Sequence, residues 1–82
     1  MSKVKYIKTE DNKIIIFGEY YSHSDFKNFN PVSAGFIWFE LNLKIYEVVC
    51  HCYGESVSLG IKSEEKIDNE LVRQQILGYG YF

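Results

Sequence analysis

Three adjacent residues, His23-Ser24-Asp25, bring together the side-chain types of a base, a nucleophile and an acid. Catalytic triads are assembled from distant positions, because neighbours in the chain rarely meet at the required angles. The same residues also suit a cap and turn, with Ser24 or Asp25 bonding backbone at the start of a short helix. A second run, Cys50-His51-Cys52, carries zinc-ligand types. Zinc usually takes four ligands from spaced pairs, and on a strand the alternation turns His51 away from the two sulfurs. Buried cysteines acting as small hydrophobes fit better, so neither a metal nor a cofactor is expected. A disulfide across this spacing would be badly strained, and small secreted domains are usually stapled by several bridges. A cytoplasmic setting follows as the expectation.

Two loops could admit a ligand. Pro31-Val32-Ser33-Ala34-Gly35 and Gly54-Glu55-Ser56 are built of small residues whose backbone amides a bound molecule can approach closely. The phosphate-loop and dinucleotide fingerprints, G-x-x-x-x-G-K-[ST] and G-x-G-x-x-G, are both absent from the sequence. The candidate ligand shell is therefore His23, Ser24, Asp25, Lys27, Ser33, Gly35, Glu55 and Ser56, with Lys27 or Lys62 meeting an anion. Fourteen residues are aromatic, and Tyr20, Tyr21, Tyr79 and Tyr81 fall in segments that read as loop or tail. Such tyrosines suit a protein interface or a stacked nucleobase.

The elements that must position these groups form one small domain of 82 residues, with 46% apolar and 24% charged side chains. A net charge of −2, and a single arginine among nine basic residues, argue against duplex nucleic acid and against a bidentate phosphate clamp. No apolar run is long enough to cross a membrane.

Val4 to Lys8 reads as a strand with Val4, Tyr6 and Lys8 on one face and Lys5 and Ile7 on the other. A turn at Glu10-Asp11-Asn12 leads into the β-branched run Ile14-Ile15-Ile16-Phe17, completing a hairpin. Ser22 or Ser24 is the candidate cap of a helical turn over Asp25 to Phe29, which Pro31 stops. Ala34 to Leu41 and Lys44 to Tyr53 form a second hairpin, and Ser56 to Ile61 alternates as a further strand. Glu64 to Leu77 reads as the one long helix, capped by Ser63 and stopped by Gly78. The fold expected is α+β: a curved antiparallel sheet of four to five strands with one main C-terminal helix.

That helix spans about 21 Å and covers one sheet face at most. Both faces carry apolar residues, with Phe36 and Trp38 on one side of the third strand and Ile37, Phe39 and Leu41 on the other. The second face needs either a sheet that rolls up or a second copy of the chain, and the wide apolar arc of the helix favours the copy. The expected interface of a homo-oligomer, most simply a dimer, is Trp38, Tyr46, Val72, Ile76, Tyr79 and Tyr81.

The strings His23-Ser24-Asp25-Phe26-Lys27, Asn30-Pro31-Val32-Ser33-Ala34-Gly35-Phe36 and Cys52-Tyr53-Gly54-Glu55-Ser56-Val57-Ser58-Leu59-Gly60, with Lys62-Ser63 before an acidic final helix containing Asp68, resemble a pattern in small uncharacterised proteins of bacterial phages and mobile elements. The resemblance carries no catalytic residue set. It implies a phage-type accessory protein working in the host cell cytoplasm, where such proteins often block a host process. On that footing the expected function is a non-catalytic inhibitor of bacterial defence that sequesters a nucleotide-derived signalling molecule between subunits. The alternatives are a protein–protein inhibitor that occupies a host defence enzyme, or a small enzyme pairing His23 with Glu55 or Asp25.

Overall fold

The computed structural model describes residues 4–44 and 47–79, the side chains of 41, 42, 47, 48 and 77–79 excepted. Strands β1 (Val4–Thr9), β2 (Ile14–Phe17), β3 (Pro31–Asn42) and β4 (Glu47–Tyr53) make an antiparallel sheet in the order β2-β1-β3-β4. A 3₁₀ helix, His23–Phe29, links β2 to β3. A two-stranded hairpin, β5 (Glu55–Ser56) with β6 (Ile61–Lys62), and the helix α1 (Glu65–Tyr79) complete the α+β fold.

Local chemistry sets the turns. Asn12 takes the left-handed conformation at φ 62° in the β1–β2 turn, where its amide donates to the Thr9 carbonyl. Asn30, at φ 55°, closes the 3₁₀ helix just ahead of Pro31. At its start the Asp25 carboxylate accepts the Ser22 amide at 2.8 Å, so Asp25 works as a cap.

The expected strand from Ser56 to Ile61 does not form. The Ser56 hydroxyl accepts the Leu59 amide, and the Gly60 amide returns to the Ser56 carbonyl at 2.8 Å. Local side-chain bonding and a positive φ at Gly60 convert the stretch into a turn, and Val57 stands 87% exposed. Alternation across six residues was outweighed by turn chemistry inside it.

Two cores lie on opposite faces of the sheet. Under α1, Tyr6, Ile14, Ile37, Cys50, Cys52 and Val72 pack together, joined by Val4, Leu71 and Ile76. The helix turns Val72 inward and leaves Ile67 half exposed, so its buried stripe runs through Asp68, Val72 and Ile76. On the other face, Ile7, Phe17 and Ala34 are covered by Phe26 of the 3₁₀ helix and by Leu59 and Ile61 of the small hairpin. The chain thus supplies its own cover for half of the second face, neither by rolling up nor by borrowing a copy. The other half, over β3 and β4, carries Trp38, His51 and Tyr53.

Candidate functional site

The residues of the expected ligand shell do not converge on one pocket. His23 is buried, and its Nε2–H donates to the Gly35 carbonyl at 2.8 Å, with its ring edge-on to Phe17 and Phe36. Gly35 sits where a Cβ would run into the Tyr53 carbonyl oxygen and lie 3.2 Å from Ser63 Cβ, so its smallness serves packing. Ser24 and Asp25 are exposed and bonded within their own turn, the Ser24 hydroxyl lying 2.7 Å from that of Ser22. Lys27 and Glu55 are exposed on separate elements. Ser33 is fully buried on the α1 side of β3, beside Lys8, and Ser56 is fully buried in its turn. Of the expected interface residues, Val72 lies wholly inside the chain's own core and Ile76 packs against it, whereas Trp38 is 52% exposed. Tyr46 and Tyr81 lie outside the described residues, as does the side chain of Tyr79.

Two clusters emerge instead. The first is a polar knot between α1 and the sheet. Asp68, fully buried, accepts hydrogen bonds on Oδ2 from the Tyr6 hydroxyl and from the Glu64 amide. Lys8, 3% exposed, donates to Glu64 Oε1 at 3.0 Å and forms an ion pair with Asp68 Oδ1 at 3.1 Å. Burial works against the Lys8 charge, but hydrogen bonds to Glu64 and Asp68 outweigh it and raise its pKa. Burial, reinforced by the Asp68 carboxylate, also pushes the Tyr6 hydroxyl far above its ordinary value. Cys52 is pushed up to about 12, chiefly by burial, and Cys50 is raised for the same reason. Only the sheet half of this knot is legible in the sequence, where Lys8 shares the apolar face of β1 with Tyr6.

Every one of these four shifts is upward, which fixes the sign of the pH dependence. Each group holds its proton more tightly folded than unfolded, so stability falls once the unfolded groups begin to lose theirs. The Cys52 share is intact below the ordinary thiol value of 9.0 and fades from there to about 12. The Lys8 share is intact below 10.5 and is lost as the pH passes the raised folded value. The urea midpoint is therefore expected to stay level between about pH 6 and 8 and to drop steadily above about pH 9. A midpoint that held or rose in that alkaline range would contradict the burial assigned to these groups.

The second cluster is the open half of the other face. The Trp38 and His51 rings stack at 4.9 Å with an interplanar angle of 32°. Phe36 and Tyr53 lie beside them at 5.7 Å and 31°, and His23 joins Phe36 to the covered half. Glu40 Oε2 lies 3.8 Å from His51 Nε2, which is shielded from water and has no hydrogen-bond partner among the described residues. Lys5 lies opposite Phe36 on the same face, and its ammonium donates to the Tyr21 carbonyl at 3.0 Å. One such bond leaves two of its three donor positions uncommitted to Tyr21.

The sequence puts Trp38 and Phe36 on one face, but of the two only Trp38 is expected at a subunit interface, and neither His51 nor Lys5 is expected as a ligand contact. The signal was the cross-strand pairing itself, since registering Trp38 on His51 and Phe36 on Tyr53 makes a row of π faces. Among the described residues no group of three or more His, Cys, Asp or Glu side chains could hold a metal ion, and no helix is long and apolar enough to cross a membrane. The chain matches no protein-family model, no curated protein and no solved structure.

Proposed function

We propose that the protein is a non-catalytic binding protein of phage type, an inhibitor of bacterial defence that sequesters a nucleotide-derived signalling molecule, and that it works as a homo-oligomer. The ligand's base stacks on the open aromatic half-face, not in the loops. The observation that carries this reading is the exposed Trp38–His51 stack, flanked by Tyr53 and Phe36 and left uncovered by every described element. Flat side chains presented in a row bind bases of any sequence through their π faces. Lys5 supplies a cation on the same face for a ribose-linked phosphate, as a point charge rather than a fork.

Binding without turnover is favoured by how the candidate acid–base groups are employed. The His23 imidazole is buried and donates to a backbone carbonyl, and the Asp25 carboxylate caps a turn. Heating the purified protein and identifying any released small molecule by mass spectrometry tests the reading, followed by calorimetry with a panel of cyclic and ADP-ribose-type nucleotides. One nucleotide released and rebound unchanged is the expected outcome. Turnover of that molecule, lost in His23→Ala with the fold intact, would replace sequestration with catalysis. Stoichiometric capture of one host enzyme, with no heat from any nucleotide, would replace it with protein occupation.

A further inference from the structure

β4 ends the sheet, with no strand beyond it among the described residues. Cys52 lies opposite Ile37 in the β3–β4 ladder, yet its backbone amide donates to the Asn69 side-chain oxygen on α1. That places Cys52 among the positions whose backbone groups point away from β3. Antiparallel alternation puts Val48 and Cys50 in the same class. Asn69 therefore closes the edge at Cys52, and the outward backbone groups of Val48 and Cys50 have no strand beside them among the described residues.

We propose that a second copy of this chain pairs antiparallel with that segment, centred on Val49, so that two four-stranded sheets join into one of eight strands. Three features of the sequence and register select the second copy and this alignment. Val48 then faces the partner's Cys50, and each outward-pointing backbone pair exchanges two hydrogen bonds on either side of the two-fold axis. Shifting the alignment toward Cys52 would require the amide that Asn69 already holds. Shifting it the other way would set Val49 against the partner's Glu47, an apolar residue against an acid, whereas the proposed register sets Glu47 opposite the partner's His51 and Val49 opposite the partner's Val49. The edge thus sets a carboxylate opposite an imidazole at each end of the pairing and an apolar residue against itself at its centre. Val49 and His51 share the open face, so the two Trp38–His51 stacks come to lie on one side of the joined sheet.

The pairing deepens the sequestration reading and rests on it for its purpose, since it turns two small aromatic half-faces into a single platform. Sedimentation equilibrium over a range from low to high micromolar should give twice the chain mass. Val49→Lys puts like charges face to face across the axis while giving the new lysine Glu40 as a cross-strand neighbour within its own chain, so the fold is kept. It is expected to weaken association at least 10-fold. His51→Glu should do the same by opposing Glu47, and adding Glu47→Lys to it should restore the dimer. A wild-type chain that stays monomeric at high micromolar concentration, or a Val49→Lys variant that associates as well as wild type, overturns the pairing. Monomeric wild type that still quenches its Trp38 emission on binding a nucleotide would sink the pairing and spare the sequestration reading. A Val49-dependent dimer that responds to no nucleotide would do the reverse.

Discussion

Asp68→Ala is expected to unfold most of the protein at physiological temperature. The carboxylate removed is fully buried and engages the Tyr6 hydroxyl, the Lys8 ammonium and the Glu64 amide together. Its loss strands a lysine that is 3% exposed, leaving Glu64 as the remaining counter-charge at 3.0 Å. Breaking one partner of a buried ion pair costs about 3–5 kcal/mol, a large part of what a domain of this size has in total. For a chain of this length that corresponds to a melting point lower by roughly 15–30 °C. The knot itself need not be strongly stabilising, because its desolvation cost is also high. Replacing the three buried polar members with apolar residues, Tyr6→Phe, Lys8→Met and Asp68→Leu, and leaving the half-exposed Glu64 to solvent, should therefore recover much of what Asp68→Ala loses. A single variant melting within a few degrees of wild type would mean that α1 is held by Val72 and its neighbours alone.

Trp38→Ala is expected to weaken ligand binding about 10- to 100-fold while leaving the melting point nearly unchanged. Stacking a base on an aromatic side chain is worth about 1–3 kcal/mol by alanine substitution. Trp38 is half exposed and belongs to neither core cluster, so its removal opens no cavity. Phe36→Ala makes a useful contrast. Its ring touches both His23 and Tyr53 and lies 3.1 Å from where a Cβ on Gly54 would sit, so that variant should lose stability as well as affinity. Equal binding by wild type and Trp38→Ala, measured by calorimetry, would remove the platform from the account.

The face assignments of β1, β3 and β4 were legible because a period of two is unambiguous once a strand is placed, and Tyr6, Ile37 and Cys52 do meet under the helix. Position 68 was not legible as buried, since an aspartate near a helix start reads as dipole compensation until its partner Lys8, sixty residues away in the chain, is seen beneath it. Ser56 misled for a related reason. Its hydroxyl bonds the chain three residues on, and no period reveals that. The ligand shell scattered because small polar residues next to glycine serve turns and close packing as readily as binding, which is what Ser33, Gly35 and Ser56 do. What gathered instead was a set of rings brought together by strand register, a long-range property that the linear order of Phe36, Trp38, His51 and Tyr53 only hints at.

Trp38 is the sole tryptophan, so its emission reports on the proposed surface alone. Titrating the protein with cyclic and ADP-ribose-type nucleotides while following that emission is the most direct test available. Saturable quenching by at least one of them, at one site per aromatic half-face, is the predicted result. Calorimetric binding of a nucleotide with no change in Trp38 emission would put the ligand elsewhere and contradict the account.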